Sequence, residues 1–361
     1  MKILYLMHVD WNWIKQRPHF IAEKLMENGI EVEVYYQKSF NKKLLTNNVK
    51  GDLIIKGIPR LPMSRFYVVK KMNAFIYGCF LAHRLSKNMY DCVYLTHPVL
   101  FSKKINVPII YDCMDDVLEF SSDTKVKKEL FDVEMQLVQK SSYVFFTSEH
   151  LKNVVLKRYE LADTSEKFFI NNNAIELPNA NVIESIKLSE SDRIKFVYIG
   201  TVTEWFDFDL LETLDKLKYE FHLFGPVYNI AINRQENFIF HGSVPREKIF
   251  SLMNAADILI MPFKVNNLIE SVNPVKLYEY IFSCKPIISV MYGETEKFSK
   301  YVYLYENGNA NSFEDCVKKI ESNEMKSKAC EKACKNFAEN NTWNSRALEI
   351  KQQISKGIDS Q

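Results

Sequence analysis

Short apolar runs alternate with amphipathic stretches along the first half of the chain. "KILYLMHV" is a compact apolar run, and "RPHFIAEKLMENG" then places its apolar side chains on one helical face before Gly29, a typical helix-ending residue. "IEVEVYY" alternates as a strand does, and further apolar runs follow at 91–96, 107–112 and 142–148. Strands separated by helical crossovers indicate a parallel sheet covered on both faces.

The pattern pauses at 171–193, which is rich in Asn, Ser and Pro, and a second series of apolar runs begins at "IKFVYIG". We therefore predict two doubly wound α/β domains that face a ligand-binding cleft. The predicted boundaries are an N-terminal domain over 1–175, a linker over 176–193, a second domain over 194–340 and a final helix over 341–361.

Length and composition agree with this organisation. A chain of 361 residues exceeds one ordinary core, and no uncharged apolar run of about 18 residues is present to span a membrane. The seven cysteines form no Cys-x-x-Cys pair and are expected to be reduced thiols, which indicates a cytoplasmic protein.

Charge is unevenly distributed. Residues 1–110 carry 17 Lys and Arg against 7 Asp and Glu, whereas the remainder carries 30 against 38. The basic first third predicts attraction to an anionic membrane surface, a phosphorylated lipid or nucleic acid. Residues 65–87 interleave cations with bulky apolar groups, as a membrane-surface helix does, although a helix packed on the sheet has the same pattern.

The stretch "ESVNPVKLYEY" (270–280) contains the clearest candidate chemistry. Asn273 is a favoured helix N-cap and Pro274 suits the first helical position, so the free amides of this helix start suit a diphosphate. Lys276 adds a positive charge there, and Glu279 on the same face suits a ribose diol. The alternative is a simple surface ion pair between these two side chains.

A second candidate is the turn that contains Gly200 and Thr201. An apolar strand ends there, and a helix with apolar residues at 208, 210, 211 and 214 is predicted to follow. Glycine allows a ligand to approach the backbone closely, although many strand-to-helix turns need a glycine for structure alone. The stretch lacks the GxGxxG pattern of dinucleotide-dependent oxidoreductases.

Acidic residues follow another buried strand. "IIYDCMDDVLEF" places Asp112, Asp115 and Asp116 at its end, where crowded carboxylates are candidates for general base catalysis or ligand binding. Helix capping and metal binding are the alternatives, and no histidine lies beside them to complete a metal site.

The first loop, "HVDWNWIKQRPHF", is aromatic and polar. Trp11 and Trp13 beside Arg17 and His19 are candidates for stacking on a sugar and contacting a phosphate. The alternative is a helix start with both indoles in the core.

Together these motifs resemble GT-B-fold glycosyltransferases of the family 4 (group 1) type, and the bacterial teichuronic acid branch most of all. The resemblance spans nearly the whole chain. "YIGTVTEWFDFDLL" and "PVKLYEYIFSCKPII" are similar to the two donor-domain signatures, and "QRPHFIAEKL", "YDCMDD" and "NTWNSRALEIKQQI" to the first helix, the acidic turn and the last helix. The fold it implies is two Rossmann-like domains, with the last helix crossing back to the N-terminal domain.

The resemblance also implies roles for individual residues. Lys276 would hold the diphosphate of a nucleotide sugar and Glu279 its ribose. The backbone near Val244 would meet the base, for which UDP is the family-weighted expectation. The remaining donor contacts would be Gly200, Thr201, Ser271, Val272 and Asn273.

The chain departs from retaining members of this family. Their two glutamates are separated by seven residues, but the position eight before Glu279 is Ser271, and Met114 stands where a catalytic histidine is usual. The departure leaves the stereochemical outcome open. An inverting route needs a carboxylate base, for which Asp115 is the first candidate and Asp116 the second. No cofactor or metal is expected if the helix start and Lys276 stabilise the departing diphosphate.

The expected acceptor is a glycan or a polyprenyl-diphosphate-linked glycan, contacted by Trp11, Trp13, Arg17 and His19 during bacterial surface polysaccharide synthesis. The expected location is the cytoplasm, with peripheral contact at the inner face of the membrane and no nucleic-acid partner. Two alternatives stay open: a nucleic-acid-binding or regulatory protein that uses the basic face of residues 1–110, and a nucleotide-sugar epimerase of the same fold.

Overall fold

The computed structural model describes residues 1–39, 53–63, 66–86, 89–164, 166–178, 184–228, 230 and 236–358. Parts of the predicted linker (179–183), of the predicted membrane helix (65 and 87) and of the C-terminus (359–361) lie outside these ranges. The chain divides into unit 1, residues 1–173 and 343–361, and unit 2, residues 174–342. No helix in the described part is both long and apolar enough to cross a bilayer.

Unit 1 is built on a seven-stranded parallel sheet. Its strands are β1 Lys2–Met7, β2 Glu31–Gln37, β3 Ile54–Ile58, β4 Cys92–Leu95, β5 Ile109–Cys113, β6 Tyr143–Phe146 and β7 Phe168–Ile170. Its first helices are α1 Arg17–Glu27, α2 Tyr67–Leu85, α3 Thr124–Lys140 and α4 Glu149–Arg158. The strand order β3-β2-β1-β4-β5-β6-β7 reverses direction between β1 and β4, the point at which open parallel sheets bind ligands.

Unit 2 repeats this plan with six parallel strands in the order β10-β9-β8-β11-β12-β13. The strands are β8 Ile194–Ile199, β9 Tyr219–Phe224, β10 Phe238–Gly242, β11 Ile258–Met261, β12 Ile287–Val290 and β13 Tyr303–Tyr305. The helices are α5 Phe208–Leu211, α6 Ile249–Ala255, α7 Asn267–Ser271, α8 Val275–Phe282, α9 Gly293–Glu296, α10 Ala310–Ser322 and α11 Glu331–Asn340. The order reverses between β8 and β11.

The last helix, α12 (Trp343–Ile358), returns to unit 1 and packs on α1. The ring of Phe20 stacks on that of Trp343, with centroids 5.0 Å apart, and Lys351 Nζ donates to the Asn28 carbonyl over 2.7 Å. The prediction that this helix crosses back to the N-terminal domain is therefore confirmed.

A buried ion pair joins α1 to the end of β5. Arg17 donates to Asp112 through Nη2 at 2.8 Å and Nε at 3.0 Å, and its Nη2 also donates to Asn171 at 2.8 Å. Both charged side chains are almost fully buried. Each charge offsets the desolvation cost of the other, so neither can be removed alone without a large penalty.

We predict that Arg17→Met destabilises unit 1 by about 3–5 kcal/mol, because it leaves Asp112 charged and buried without its partner. Chemical denaturation of both proteins measures this difference in the free energy of unfolding. The matched control is Lys70→Met, whose pair with Glu129 is mostly exposed and should contribute less than about 1 kcal/mol. Equal losses in the two variants would contradict the structural role of Arg17.

Candidate functional site

In unit 2, the side chain of Lys276 lies directly over Gly200, at the point where the strand order reverses. A Cβ atom on Gly200 would be 2.1 Å from Lys276 Cε and 2.8 Å from Nζ. The ammonium lies 5.5 Å from the ring centroid of Tyr198 and 5.8 Å from that of Phe263. Only glycine leaves room for this arrangement, which places a positive charge at the carboxyl end of β8.

A second glycine supports the first. Gly225, at the end of β9, has φ +144°, and a Cβ there would lie 2.1 Å from the Gly200 carbonyl oxygen. The Gly200 amide donates to the Phe224 carbonyl over 2.7 Å, and the Thr201 carbonyl accepts from the Tyr198 hydroxyl over 2.8 Å. These hydrogen bonds fix the backbone of the turn, and the side of Gly200 that lacks a Cβ atom remains in contact with the Lys276 side chain.

Lys276 makes no hydrogen bond or salt bridge with any residue in the described ranges. Burial lowers the pKa of Lys276, and the negative charge of Glu279 offsets part of that effect. A half-buried ammonium that lacks a paired anion favours a ligand that brings one. The chemistry of this position therefore suits phosphate.

Glu279 already has a protein partner. Arg246 Nη2 donates to Glu279 Oε1 over 2.7 Å, and the carboxylate is largely buried. Arg246 comes two residues after Val244, which is half-buried against the unit 2 core. Arg246 was not recognised from the sequence, although the cation in "SVPREKI" was available as a signal. Among the described residues Glu279 Oε2 has no hydrogen-bond partner, so it can still accept from a ligand.

The predicted capping by Asn273 is wrong. Helix α8 starts at Val275 after Pro274, and no side chain caps it. Asn273 is instead buried, donates to Glu294 Oε2 over 2.9 Å and accepts from the Tyr278 hydroxyl over 3.2 Å. Its side-chain amide therefore fixes the loop, and the N-cap residue Pro274 offers the first amides of α8 no side-chain acceptor.

The neighbouring predicted residues lie in the same loop. Ser271 ends α7 and is fully buried, and the Val272 carbonyl accepts from the Tyr292 hydroxyl over 3.0 Å. Their side chains and carbonyls thus hold the segment that leads into α8. The helix predicted after Gly200 is much shorter than expected, since α5 ends at Leu211.

Unit 1 contains a cavity of about 540 Å³ at its own strand reversal. It is lined by residues that follow β1, β2, β3, β4 and β5, among them Asp10, Trp13, Lys38, Arg60, His97 and Asp115. Lys38 lies over Gly57, where a Cβ atom would be 2.2 Å from Lys38 Cε. Of the residues predicted on this side, the cavity includes Asp115 and Trp13.

Asp115 is half-buried and forms no hydrogen bond or salt bridge with another described residue. Burial raises the pKa of Asp115 to about 6. The charge of Arg17 lowers this pKa by a smaller amount, and the charges of Asp112 and Asp116 raise it. A carboxylate with a raised pKa in a cavity is suited to accept a proton. Asp116 is different, because it pairs with Arg158 and is not among the cavity residues.

The other predicted contacts of the first loop are internal to unit 1. Trp11 is buried, and Arg17 is held by Asp112 and Asn171. His19 Nε2 contacts the Trp11 carbonyl at 3.1 Å while its Nδ1 accepts from the Gln16 amide, and burial lowers the pKa of His19 to about 4. The structure does not bring Trp11, Arg17 or His19 to the cavity.

Two histidines of the cavity were not recognised in the sequence. His97 follows β4, and its Nδ1 accepts from the Val99 amide over 3.1 Å, which leaves the proton on Nε2. Burial lowers the pKa of His97 to about 4, so it is a neutral donor at neutral pH. The His8 ring lies 4.8 Å from it and contacts Thr96. The signal was His97 at a strand end, in "LTHP".

No group of three or more His, Cys, Asp or Glu that could hold a metal ion occurs among the residues that the structure describes.

Comparisons with known proteins concern the family and the fold of the chain. Residues 180–341 match the family described as glycosyl transferases group 1. A relative from Bacillus subtilis (strain 168), TuaH, is 26% identical over 219 residues, and its name assigns it to teichuronic acid biosynthesis as a glycosyltransferase. That alignment covers 55% of this chain and 55% of TuaH, so it spans about half of the relative.

Solved structures share the whole fold. Sucrose-phosphate synthase from Thermosynechococcus elongatus has a TM-score of 0.74 at 12% identity, with 100% of each chain covered. Alr3699/HepE of Anabaena, in complex with UDP and glucose, has a TM-score of 0.72 at 12% identity and covers 99% of this chain and 100% of its own. At this identity the likeness shows the fold, and the predicted α/β GT-B class is confirmed.

The family description and the relative's name give the enzyme class that the sequence predicted, glycosyltransferase. The segment that matches the glycosyl transferases group 1 model, residues 180–341, includes Lys276, Glu279, Gly200 and Gly225.

Proposed function

We propose that this chain transfers a sugar from a nucleoside-diphosphate donor, a UDP-sugar, to a glycan or polyprenyl-diphosphate-linked glycan in bacterial surface polysaccharide synthesis. The observation that carries the proposal is the Lys276 ammonium, which has no salt-bridge partner among the described residues and lies over Gly200 at the strand reversal of the segment that matches the group 1 family. The UDP and glucose bound to HepE, and the name of TuaH, support the donor and the pathway class.

On the donor side, Lys276 and the uncapped first amides of α8 bind the diphosphate, with Gly200 and Thr201 beside it. Glu279 Oε2 accepts from the ribose, and Arg246 holds this carboxylate in place through Oε1. The backbone at Val244 meets the base. The loop of Ser271, Val272 and Asn273, which leads into α8, runs along the phosphates or the sugar.

On the acceptor side, the unit 1 cavity holds the sugar that receives the transfer. Trp13 offers an aromatic face and His97 an Nε2–H donor. Asp115 removes the proton of the acceptor hydroxyl while the oxygen of that hydroxyl bonds to the anomeric carbon. The bond to the diphosphate breaks at the same time, and the nucleotide leaves with the electron pair. This single displacement inverts the anomeric configuration.

The decisive experiment combines donor binding with product analysis. UDP-, GDP- and TDP-sugars are compared by thermal shift, and the stabilising donor is then incubated with lipid-linked glycan acceptors. Release of nucleoside diphosphate that depends on the acceptor, with an inverted anomeric signal by NMR, supports the proposal. Absence of stabilisation by every donor would reject it.

We predict that Lys276→Met weakens UDP binding and lowers turnover by about 10²–10³-fold, because it removes the charge that stabilises the leaving diphosphate. Calorimetry with UDP and initial rates check both effects. Lys285→Met is the matched control, since Lys285 lies beyond the other end of α8 and burial lowers its pKa as well. Unchanged donor affinity and turnover in Lys276→Met would overturn the donor site.

We predict that kcat/KM falls about tenfold for each pH unit below about 6, where Asp115 gains a proton. Asp115→Asn should lower turnover by about 10²–10⁴-fold. The pH–rate profile and the rate of the variant provide the measurement. A variant with normal rates would remove Asp115 from the mechanism.

The same substitution should stabilise the fold. The folded pKa of Asp115, about 6, lies above its ordinary 3.8, so stability from this group decreases as pH rises through this window. Asp115→Asn should therefore add on the order of 1–2 kcal/mol at pH 7.5 and almost nothing near pH 4. Asp116→Asn is the control and should destabilise, because it breaks the pair with Arg158. Thermal unfolding at both pH values distinguishes the two.

We also propose that the transfer needs no divalent metal, since Lys276 and the amides of α8 supply the positive charge. EDTA should change the rate by less than about twofold. A rate that is lost in EDTA and restored by Mg²⁺ or Mn²⁺ would contradict this proposal.

A further inference from the structure

Two free cysteines of unit 2 lie where helices α8 and α11 pack together. Cys284 comes two residues after the last residue of α8, and Cys334 closes the first turn of α11. The rings of Tyr278 and Phe337 stack between these helices, with centroids 5.8 Å apart. Phe337 follows Cys334 by three residues, so both side chains lie on the face of α11 that meets α8.

The two sulfur atoms are neighbours at the start of α11. Cys284 Sγ lies 3.9 Å from the carbonyl oxygen of Glu331, which precedes Cys334 by three residues and therefore lies on the same side of the helix. Cys334 Sγ lies 3.8 Å from the Ala329 carbonyl oxygen. The two thiols also share a hydrogen bond. This arrangement brings together two sulfurs from distant parts of the sequence, as a disulfide requires.

The backbone of Cys284 is unusual for a residue with a side chain. Its φ of +55° lies in the left-handed region, at the position after a helix where glycine is preferred. The Cys284 amide donates to the Ile281 carbonyl over 3.1 Å, which fixes this end of α8. The chain thus carries a thiol where glycine would be free of strain, and strained residues of this kind cluster at functional sites.

The hydrogen bond between the thiols also affects their reactivity. It raises the pKa of Cys284 well above the ordinary value, and burial adds to this effect. The same hydrogen bond lowers the pKa of Cys334 to about 7, although burial opposes it. A thiolate is the reactive form of cysteine, so the pair can react near neutral pH. Cys334 is buried, whereas Cys284 is partly exposed and gives solvent access to the pair.

We propose that Cys284 and Cys334 form a reversible disulfide when the chain meets a peroxide. One sulfur of the pair attacks a peroxide oxygen and becomes a sulfenic acid, and the second sulfur then displaces that hydroxyl as water. Two thiols thereby lose two electrons and two protons, and hydrogen peroxide becomes two molecules of water. An external dithiol returns the electrons and restores both thiols.

The disulfide would connect the helix that begins beside the donor site to the last helix of unit 2. None of the residues assigned to sugar transfer takes part in its formation, and the inference goes beyond that activity. Lys276→Met should therefore form the disulfide to the same extent as the unmodified chain, so a failure of the proposed function leaves this inference testable.

The test is oxidation of the reduced full chain with hydrogen peroxide, followed by denaturation, alkylation and peptide mass mapping. The number of alkylated thiols should fall by two from the seven free cysteines, and one pair of peptides joined through Cys284 and Cys334 should appear. Cys79 and Cys330 are exposed but should stay available for alkylation. Dithiothreitol should restore the two lost thiols.

Variants assign the bond to this pair. Cys284→Gly suits the left-handed backbone, so it should keep the circular dichroism of the unmodified chain and lose no thiol to peroxide. Cys334→Ser should resist disulfide formation in the same way. Cys330→Ser is the matched control and should still lose two thiols. The proposal is overturned if the unmodified chain keeps every thiol, if the bond includes Cys330, or if Cys284→Gly still loses two thiols.

Discussion

The missing side chain at Gly200 is the constraint on which the unit 2 site depends. The Lys276 side chain occupies the space that a Cβ atom would take, and Gly225 in turn leaves room for the Gly200 carbonyl. These contacts confine the ammonium between the strand end and two aromatic rings, where burial disfavours its charge. A bound anion would relieve that cost, so the packing that disfavours the ammonium without a ligand would favour a negatively charged ligand.

In unit 1, burial also shifts the pKa of an ionisable side chain, but in the opposite direction. Desolvation raises the proton affinity of Asp115, just as it weakens that of Lys276, and neither group has a salt-bridge partner among the described residues. Asp112 and Asp116, close in sequence, are neutralised by Arg17 and Arg158. One aspartate of the cluster is thus left without a cation, and it is the one that lines the cavity.

The sequence was sufficient for the elements that carry long apolar runs, and insufficient for those set by tertiary contacts. Strands such as β1, β5 and β8 were predicted, whereas the three-residue strands β7 and β13 have too short a pattern. Gly200 and Lys276 were both assigned to the donor site, but their direct contact follows from the pairing of distant elements. Arg246 could not be identified from the sequence because its partner Glu279 is 33 residues away. His97 was not identified because its role depends on its position at the end of a strand.

The packing of α12 on α1 determines the order in which the chain can complete its structure during synthesis. All of unit 2 lies between the two segments of unit 1, so the indole that covers Phe20 leaves the ribosome only after residues 174–342 have done so. Unit 2 has its own core and can form while the nascent N-terminal segment still lacks its cover. The first part of the chain to be made is therefore the last to be finished.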